Sequence, residues 1–354
     1  MADPETPYLA VDLNTLERNV SSVAENAANK GMAIRPHAKT HKIPEIARMQ
    51  LAHGAIGITL ATVSEAEIFA DAGIDDIFIA YPVWPSAARI ARIRALAERI
   101  TLRIGVDSIE GAQALGAVVP SGSVEILVEV DSGHHRSGVQ PHDAGSVAVA
   151  SARAGLRVGG VFTFPGHSYA PGNGAQAAID EAGAIETATE SLSREGIAAA
   201  IRSGGSTPSF HASHGDTLTE ARPGVYVFND AQQLELGSCE FTDVALTVAA
   251  TVVSRHGRDV VVDAGSKALG ADRAAWATGY GRLLDEPEAR IHALSEHHAT
   301  IRMPDGSVIP ELGSTLRLIP NHVCNTVNLA DHVFVLRDGQ IVDVWTVAAR
   351  GANT

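Results

Sequence analysis

Several short stretches of the chain carry side chains that could do chemistry. One is Arg35-Pro36-His37-Ala38-Lys39-Thr40-His41-Lys42. Lysines are ordinarily solvated, but desolvation and nearby cations can depress a lysine's pKa and leave a free amine able to attack a carbonyl. Lys39 is the candidate for that role. A second stretch is Pro320-Asn321-His322-Val323-Cys324-Asn325-Thr326. If it is a strand, His322 and Cys324 point to the same face and could hold one ion. Imidazole plus thiolate suits Zn²⁺. No other Cys/His pair stands at ligand spacing, so such a site would keep positions open for water or substrate. Spacing alone equally permits a buried cysteine beside a satisfied histidine.

Glycine and hydroxyl residues recur in Ser203-Gly204-Gly205-Ser206-Thr207 and in Arg222-Pro223-Gly224-Val225-Tyr226. Such segments can turn backbone N–H groups toward an anion. Asp131-Ser132-Gly133-His134-His135-Arg136-Ser137-Gly138 reads as a tight loop presenting Arg136 inward. Pro165-Gly166-His167-Ser168-Tyr169 offers an imidazole and hydroxyls.

The elements that must position these groups follow from apolar patterning. Continuous apolar runs at 32–38, 56–61, 76–81, 100–106, 125–130, 157–164, 200–204 and 224–228 read as strands buried on both faces. Helical spacing lies between them at 42–53, 64–73, 85–97, 109–116, 142–154 and 175–195, with Ser64 and Glu67 at capping-box spacing. No glycine-rich dinucleotide turn follows the first strand, so the pattern favours a closed (β/α)8 barrel over an open sheet. In such a barrel the loops after the strands, where the candidate residues fall, form the reactive rim, and phosphate commonly binds after strands 7 and 8. From about residue 236 the runs are rich in Val, Ile and Thr. Asp305-Gly306 and Asp338-Gly339 sit where hairpins would turn. The fold expected is therefore α/β, a (β/α)8 barrel over 12–235 followed by an antiparallel β domain over 236–354, to which residues 1–11 add.

Composition excludes several classes. The 354 residues are 45% hydrophobic and 19% charged, which is neither disordered nor collagen-like. No run of about 18 apolar residues suggests a membrane span. The start lacks the basic and apolar blocks of a secretory signal. Lys plus Arg total 27 against 41 Asp plus Glu, a net −14 with no dense basic cluster, so nucleic acid is not an expected partner. Two cysteines, Cys239 and Cys324, make no disulfide framework, and a reducing cytoplasm is the simplest home.

Taken in order, RPHAKTHK, ATVSEAE, VEVDSGHHRSGV, SGGSTPS, RPGVYVFND and PNHVCNT resemble the motifs of the fold-type III pyridoxal phosphate enzymes. The branch most similar is that of D-serine dehydratase and D-threonine aldolase, more distantly alanine racemase. The resemblance implies a head-to-tail homodimer and Lys39 as the lysine that carries pyridoxal 5'-phosphate. It places Gly205, Ser206, Thr207, Gly224, Val225 and Tyr226 around the phosphate, Arg136 near the cofactor ring and Tyr169 against the pyridine nitrogen. His322 and Cys324 match the metal pair of the dehydratase branch, with Zn²⁺ expected and Mn²⁺ or Mg²⁺ as alternatives; the aldolase branch more often has aspartate in place of the cysteine.

What the resemblance implies is a lyase of β-hydroxy D-amino acids. In the dehydratase type, D-serine would give pyruvate and ammonia by elimination. In the aldolase type, D-threonine or D-3-hydroxyaspartate would give glycine and an aldehyde. A reading from another class is a non-catalytic pyridoxal phosphate carrier, which the appended β domain with its His-x-Cys pair opposes.

Overall fold

The computed structural model describes residues 4–354, so the first positions of the 1–11 segment lie outside the described residues. The chain divides into two compact units. One holds Ser22–Lys39, Ile46–Gly224 and Ala352–Thr354; the other holds Thr40–Glu45, Val225–Gly351 and the amino-terminal stretch to Ser21.

After β1 (Tyr8–Asp12) and α1 (Leu13–Asn29), the first unit lays down eight parallel strands: β2 (Ala33–Ile34), β3 (Ile58–Leu60), β4 (Asp76–Pro82), β5 (Thr101–Val106), β6 (Glu125–Glu129), β7 (Arg157–Phe162), β8 (Ile201–Gly204) and β9 (Glu220–Ala221). Between them run α2 (Pro44–Ala52), α3 (Val63–Asp71), α4 (Ala87–Ala97), α5 (Ile109–Gly116), α6 (Ala144–Arg153) and α7 (Gly174–Arg194). The spatial order is β2-β9-β8-β7-β6-β5-β4-β3. The ring shuts where Ile56 N–H donates to Ile34 O (3.0 Å) and Thr59 N–H to Pro36 O (2.8 Å). This is the expected barrel.

Its interior is packed: Phe78, Leu127 and Phe162 form one buried cluster, with Phe78 and Phe162 edge to face at 5.0 Å. Charge is buried among the same strands. Arg35 spans β9 and β4, its Nε donating to Glu220 Oε2 (2.9 Å) and its Nη1 pairing with Asp76. Arg103 continues the chain from Asp76 to Glu125 (2.6 Å).

The second unit is a nine-stranded sheet, β11-β14-β13-β12-β15-β10-β1-β16-β17. The new strands are β10 (Leu246–His256), β11 (Asp259–Val262), β12 (Gly281–Leu283), β13 (Arg290–Leu294), β14 (Ala299–Arg302), β15 (Thr315–Pro320), β16 (His332–Arg337) and β17 (Gln340–Thr346). A further β10–β11 pairing closes six of them into a small barrel. Only the β1–β16 pairing is parallel; the rest are antiparallel. Short helices α8 (Ala231–Glu235), α9 (Ser266–Leu269) and α10 (Val323–Leu329) interrupt the strands. Among the described residues, no helix is long and apolar enough to cross a membrane.

Some local expectations change. The run 224–228 is no strand: the eighth strand is β9, and Val225–Val227 is a short helical turn. Pro223 still accepts from His37 N–H (3.0 Å) but has no N–H to donate, and the chain turns helical just beyond it. The cap of α3 is Thr62, whose hydroxyl accepts from Glu65 N–H while Glu65 reaches back to Ala61 N–H; Glu67 instead pairs with Arg92. Asp338-Gly339 does turn a hairpin, with φ of 51° and 77° and Arg337 facing Gln340. Asp305-Gly306 does not, because β14 pairs with β11 and β13 rather than with the next strand.

Removing the buried cation tests the barrel's ion-pair chain. Arg35→Met leaves the buried Glu220 carboxylate without its guanidinium partner, and should cost about 3–5 kcal/mol in urea unfolding. Arg35→Met with Glu220→Gln should recover most of that loss. A single-variant loss under about 1 kcal/mol would contradict the assignment.

Candidate active site

At the rim of the first unit, the loops after β2, β6 and β7 converge on Phe164. Lys39 Nζ lies 5.9 Å from the ring centroid and the Arg136 guanidinium 5.3 Å. His134 meets the ring edge-on at 5.6 Å, and the Tyr169 ring is tilted at 6.2 Å. Aromatic faces attract cations, so Phe164 gathers the amine and the guanidinium at one place. The loop bearing Arg136 is built by Asp131, whose Oδ1 accepts from Gly133 N–H (2.9 Å) and His135 N–H (3.0 Å). Burial opposes the charge of Asp131, yet these N–H groups and the His135 ring hold its pKa below the usual range. Burial and then Arg136 lower the pKa of His134, which favours the neutral ring.

The turn after β8 is stitched by hydroxyls. Ser206 Oγ lies 2.8 Å from both Ser168 Oγ and Ser209 Oγ, all buried. Gly205 sits at φ +80°, where glycine is favoured. Its N–H donates to Glu181 Oε1 (2.6 Å), and Ser206 N–H donates to Ser209 Oγ (3.1 Å). Those two N–H groups are therefore already engaged, as are the serine hydroxyls. Beneath the rim, Arg222 is buried with its guanidinium 5.5 Å from the Phe78 ring and 5.2 Å from the Phe162 ring. Arg222 Nε and Glu129 Oε2 are buried with no hydrogen-bond partner among the described residues. Burial raises the Glu129 pKa, against Ser137 and Arg136.

In the second unit His322 and Cys324 do not lie on a strand. His322 precedes α10 and Cys324 occupies its first turn. Across the helix start the two still interact, because Cys324 is one of the groups that favour the charged His322 ring. His322 Nδ1 pairs with Asp272 Oδ2, and Cys324 Sγ donates to Thr40 Oγ1 at 3.3 Å. Burial works against a charged His322, but Cys324, Asp230 and Asp272 outweigh it and carry its pKa up to about 10. No group of three or more His, Cys, Asp or Glu side chains placed to hold a metal occurs among the described residues, so this pair would supply two protein ligands.

Residues 11–232 match the family model of the alanine racemase N-terminal domain, and residues 245–336 that of a serine dehydratase domain. The chain is 36% identical over 367 residues to D-threonine aldolase of an Arthrobacter species, covering 99% of this chain and 94% of the relative. It is 35% identical over 352 residues to D-threo-3-hydroxyaspartate dehydratase of Delftia sp. HT23, covering 91% of each. The solved structure of that dehydratase superposes with TM-score 0.89, at 33% identity and 97% coverage of both chains; a cysteine-to-alanine mutant of it is known in a metal-free form. The crystal structure of D-threonine aldolase from Filomicrobium marinum gives TM-score 0.91 at 31% identity, covering 100% and 98%. The chain belongs to the fold-type III pyridoxal phosphate enzymes, in the D-threonine aldolase and D-serine dehydratase family.

The rim residues suit the cofactor of this fold-type III family. They offer an amine and an arginine on an aromatic wall, a hydroxyl-rich turn, and buried polar atoms of Arg222 and Glu129 that no protein group satisfies. The His322–Cys324 pair suits a borderline-soft divalent ion. Sequence reasoning singled out Lys39, Arg136, Tyr169 and the metal pair, but not Arg222, Glu181, Thr40 or Asp272 as working residues. Arg222 stood inside a quoted segment, yet nothing local announces its burial. Asp272 is separated from His322 by 50 positions, which no spacing rule spans.

Glu181, on α7 and 1% exposed, supports the turn after β8. Burial pushes its carboxyl up from 4.5 to about 7, against the pull of Gly205 N–H and Arg222. Between those pH values the folded state keeps a proton that the unfolded state has lost. The stabilisation is thus complete below about pH 4.5 and is lost as pH rises to about 7. Glu181→Gln abolishes that slope, so its stability relative to wild type should rise by up to about 3 kcal/mol across the window, read by urea unfolding at both ends. A pH-independent difference would show a carboxyl ionised throughout.

Proposed function

We propose that the chain is a pyridoxal phosphate- and metal-dependent lyase of β-hydroxy D-amino acids, with elimination to a 2-oxo acid and ammonia as its outcome. D-Serine would thus yield pyruvate. The observation that carries this reading is the His322–Cys324 pair, whose thiol meets Thr40, the residue directly after Lys39 in the chain. The relatives' names support the substrate class, since they act on D-threonine or D-threo-3-hydroxyaspartate.

In this reading Lys39 would hold the cofactor, and its amine would take the Cα proton of the substrate. Arg136 would lie beside the cofactor ring and Tyr169 would serve the pyridine nitrogen. Gly205, Ser206, Thr207, Gly224, Val225 and Tyr226 enclose the phosphate. His322 and Cys324 hold a divalent ion, and the thiolate makes Zn²⁺ the occupant. When bound, the cofactor supplies an electron sink for the charge left at Cα, and the ion a Lewis acid for the departing β-oxygen. The released enamine hydrolyses to the 2-oxo acid and ammonia. We also propose a cytoplasmic homodimer, in keeping with two cysteines that make no disulfide framework and with what the family resemblance implies.

One observation favours retro-aldol cleavage instead. His167 Nε2 is 3.1 Å from Asp180 Oδ2, while its buried Nδ1 has no partner among the described residues. An imidazole so oriented could take the β-hydroxyl proton, breaking Cα–Cβ to give glycine and an aldehyde.

Incubation with D-serine, D-threonine and D-threo-3-hydroxyaspartate, with 2-oxo acid assayed against glycine, separates the two outcomes. Elimination predicts 2-oxo acid as the main product, with His167→Ala keeping that activity. Glycine as the main product, falling by about 10²–10⁴ in His167→Ala, would establish retro-aldol cleavage. Lys39→Ala should lose both turnover and the visible absorbance of lysine-bound cofactor. Cofactor absorbance without turnover of any of these substrates would point to a carrier.

A further inference from the structure

We infer that Asp272 is a positioning residue that orients His322 for metal binding. The inference rests on the metal reading above and adds a residue to it. Asp272 Oδ2 is paired with His322 Nδ1. A histidine that gives its Nδ1 proton to a carboxylate presents the Nε2 lone pair to a metal, fixed in tautomer and ring orientation. With Nδ1 engaged by Asp272, Nε2 is the ring nitrogen left to meet an ion shared with Cys324. The two ring nitrogens point away from each other. Asp272, at Nδ1, therefore stands across the ring from an ion bound at Nε2 and acts on it through the imidazole rather than as a ligand.

The loop bearing Asp272 is built for this task. It leaves α9 at Gly270, whose φ of +75° calls for glycine and where a side chain would crowd Asn325. At its start Thr326 Oγ1 donates to Leu269 O (2.6 Å), and at its end Asn321 Nδ2 donates to Gly279 O (2.7 Å). Asn321 and Thr326 flank His322 and Cys324 in sequence. The carboxylate is thus tied at both ends to the segment whose histidine it meets, so its position does not depend on a free loop.

The test is Zn²⁺ affinity of the full-length holoenzyme, measured by competition with a chromophoric chelator. Asp272→Ala should bind Zn²⁺ about 10–100-fold more weakly at unchanged stoichiometry. Asp272→Asn should lose much less, because the amide oxygen still accepts from Nδ1–H. Both should keep the ultraviolet thiolate-to-metal absorbance of Cys324 with Cd²⁺, which Cys324→Ala abolishes. Both should also keep the visible cofactor absorbance and the melting temperature of the metal-free protein. Affinity in Asp272→Ala within about twofold of wild type would overturn the inference. So would loss of the Cd²⁺ absorbance, which would make Asp272 a ligand, or a fall in metal-free melting temperature large enough to account for the weaker binding. Wild-type protein that binds no Zn²⁺ would instead remove the metal reading itself, and this inference with it.

Discussion

The seam of the barrel decides where the chemistry can be. Parallel strands β2 and β3 meet only through the backbone of residues 34–37, where Ile34 and Pro36 accept from Ile56 and Thr59. The same few residues bury Arg35, whose guanidinium stays inside only because Glu220 and Asp76 meet it. Two strong constraints, backbone pairing and charge compensation, thus fix the chain immediately before Lys39. A lysine four residues beyond a buried arginine has little choice of position, and it emerges on the rim against Phe164.

The chain then changes allegiance. Lys39 packs with the barrel unit, whereas Thr40–Glu45 packs with the β unit. Thr40 meets Cys324, and Lys42, held at φ +54° and only 4% exposed, donates from Nζ to Asn328 Oδ1 (2.7 Å) on α10. Two lysines of one loop therefore have separate tasks: Lys39 stands on the aromatic wall while Lys42 fastens the helix that carries Cys324. Burial alone would not have distinguished them, because the more deeply buried lysine is the structural one.

Much of this was legible in the sequence because it is local. Apolar runs marked seven of the barrel strands, and Asp338-Gly339 marked a hairpin whose φ values demand those residue types. The eighth strand differs from the expectation because Val225-Tyr226-Val227 is as apolar as a strand, yet it forms a helical turn just past Pro223, which has no N–H to donate. The His322–Cys324 pair was found by strand logic although it lies at a helix start; i and i+2 converge there for a different reason, the extended backbone of His322 (φ −134°, ψ 98°). What stayed hidden is non-local. Asp272 on His322, Glu181 on Gly205 and Arg222 over Phe78 join residues far apart in the chain, and no spacing encodes such meetings.

The central claim is that the His322–Cys324 pair and Lys39 serve one reaction. It is tested most directly by removing the ion alone. After exhaustive chelation, turnover of D-serine or D-threo-3-hydroxyaspartate should stop while the visible absorbance of the lysine-bound cofactor persists, and added Zn²⁺ should restore turnover. Full activity in demetallated protein would contradict the account.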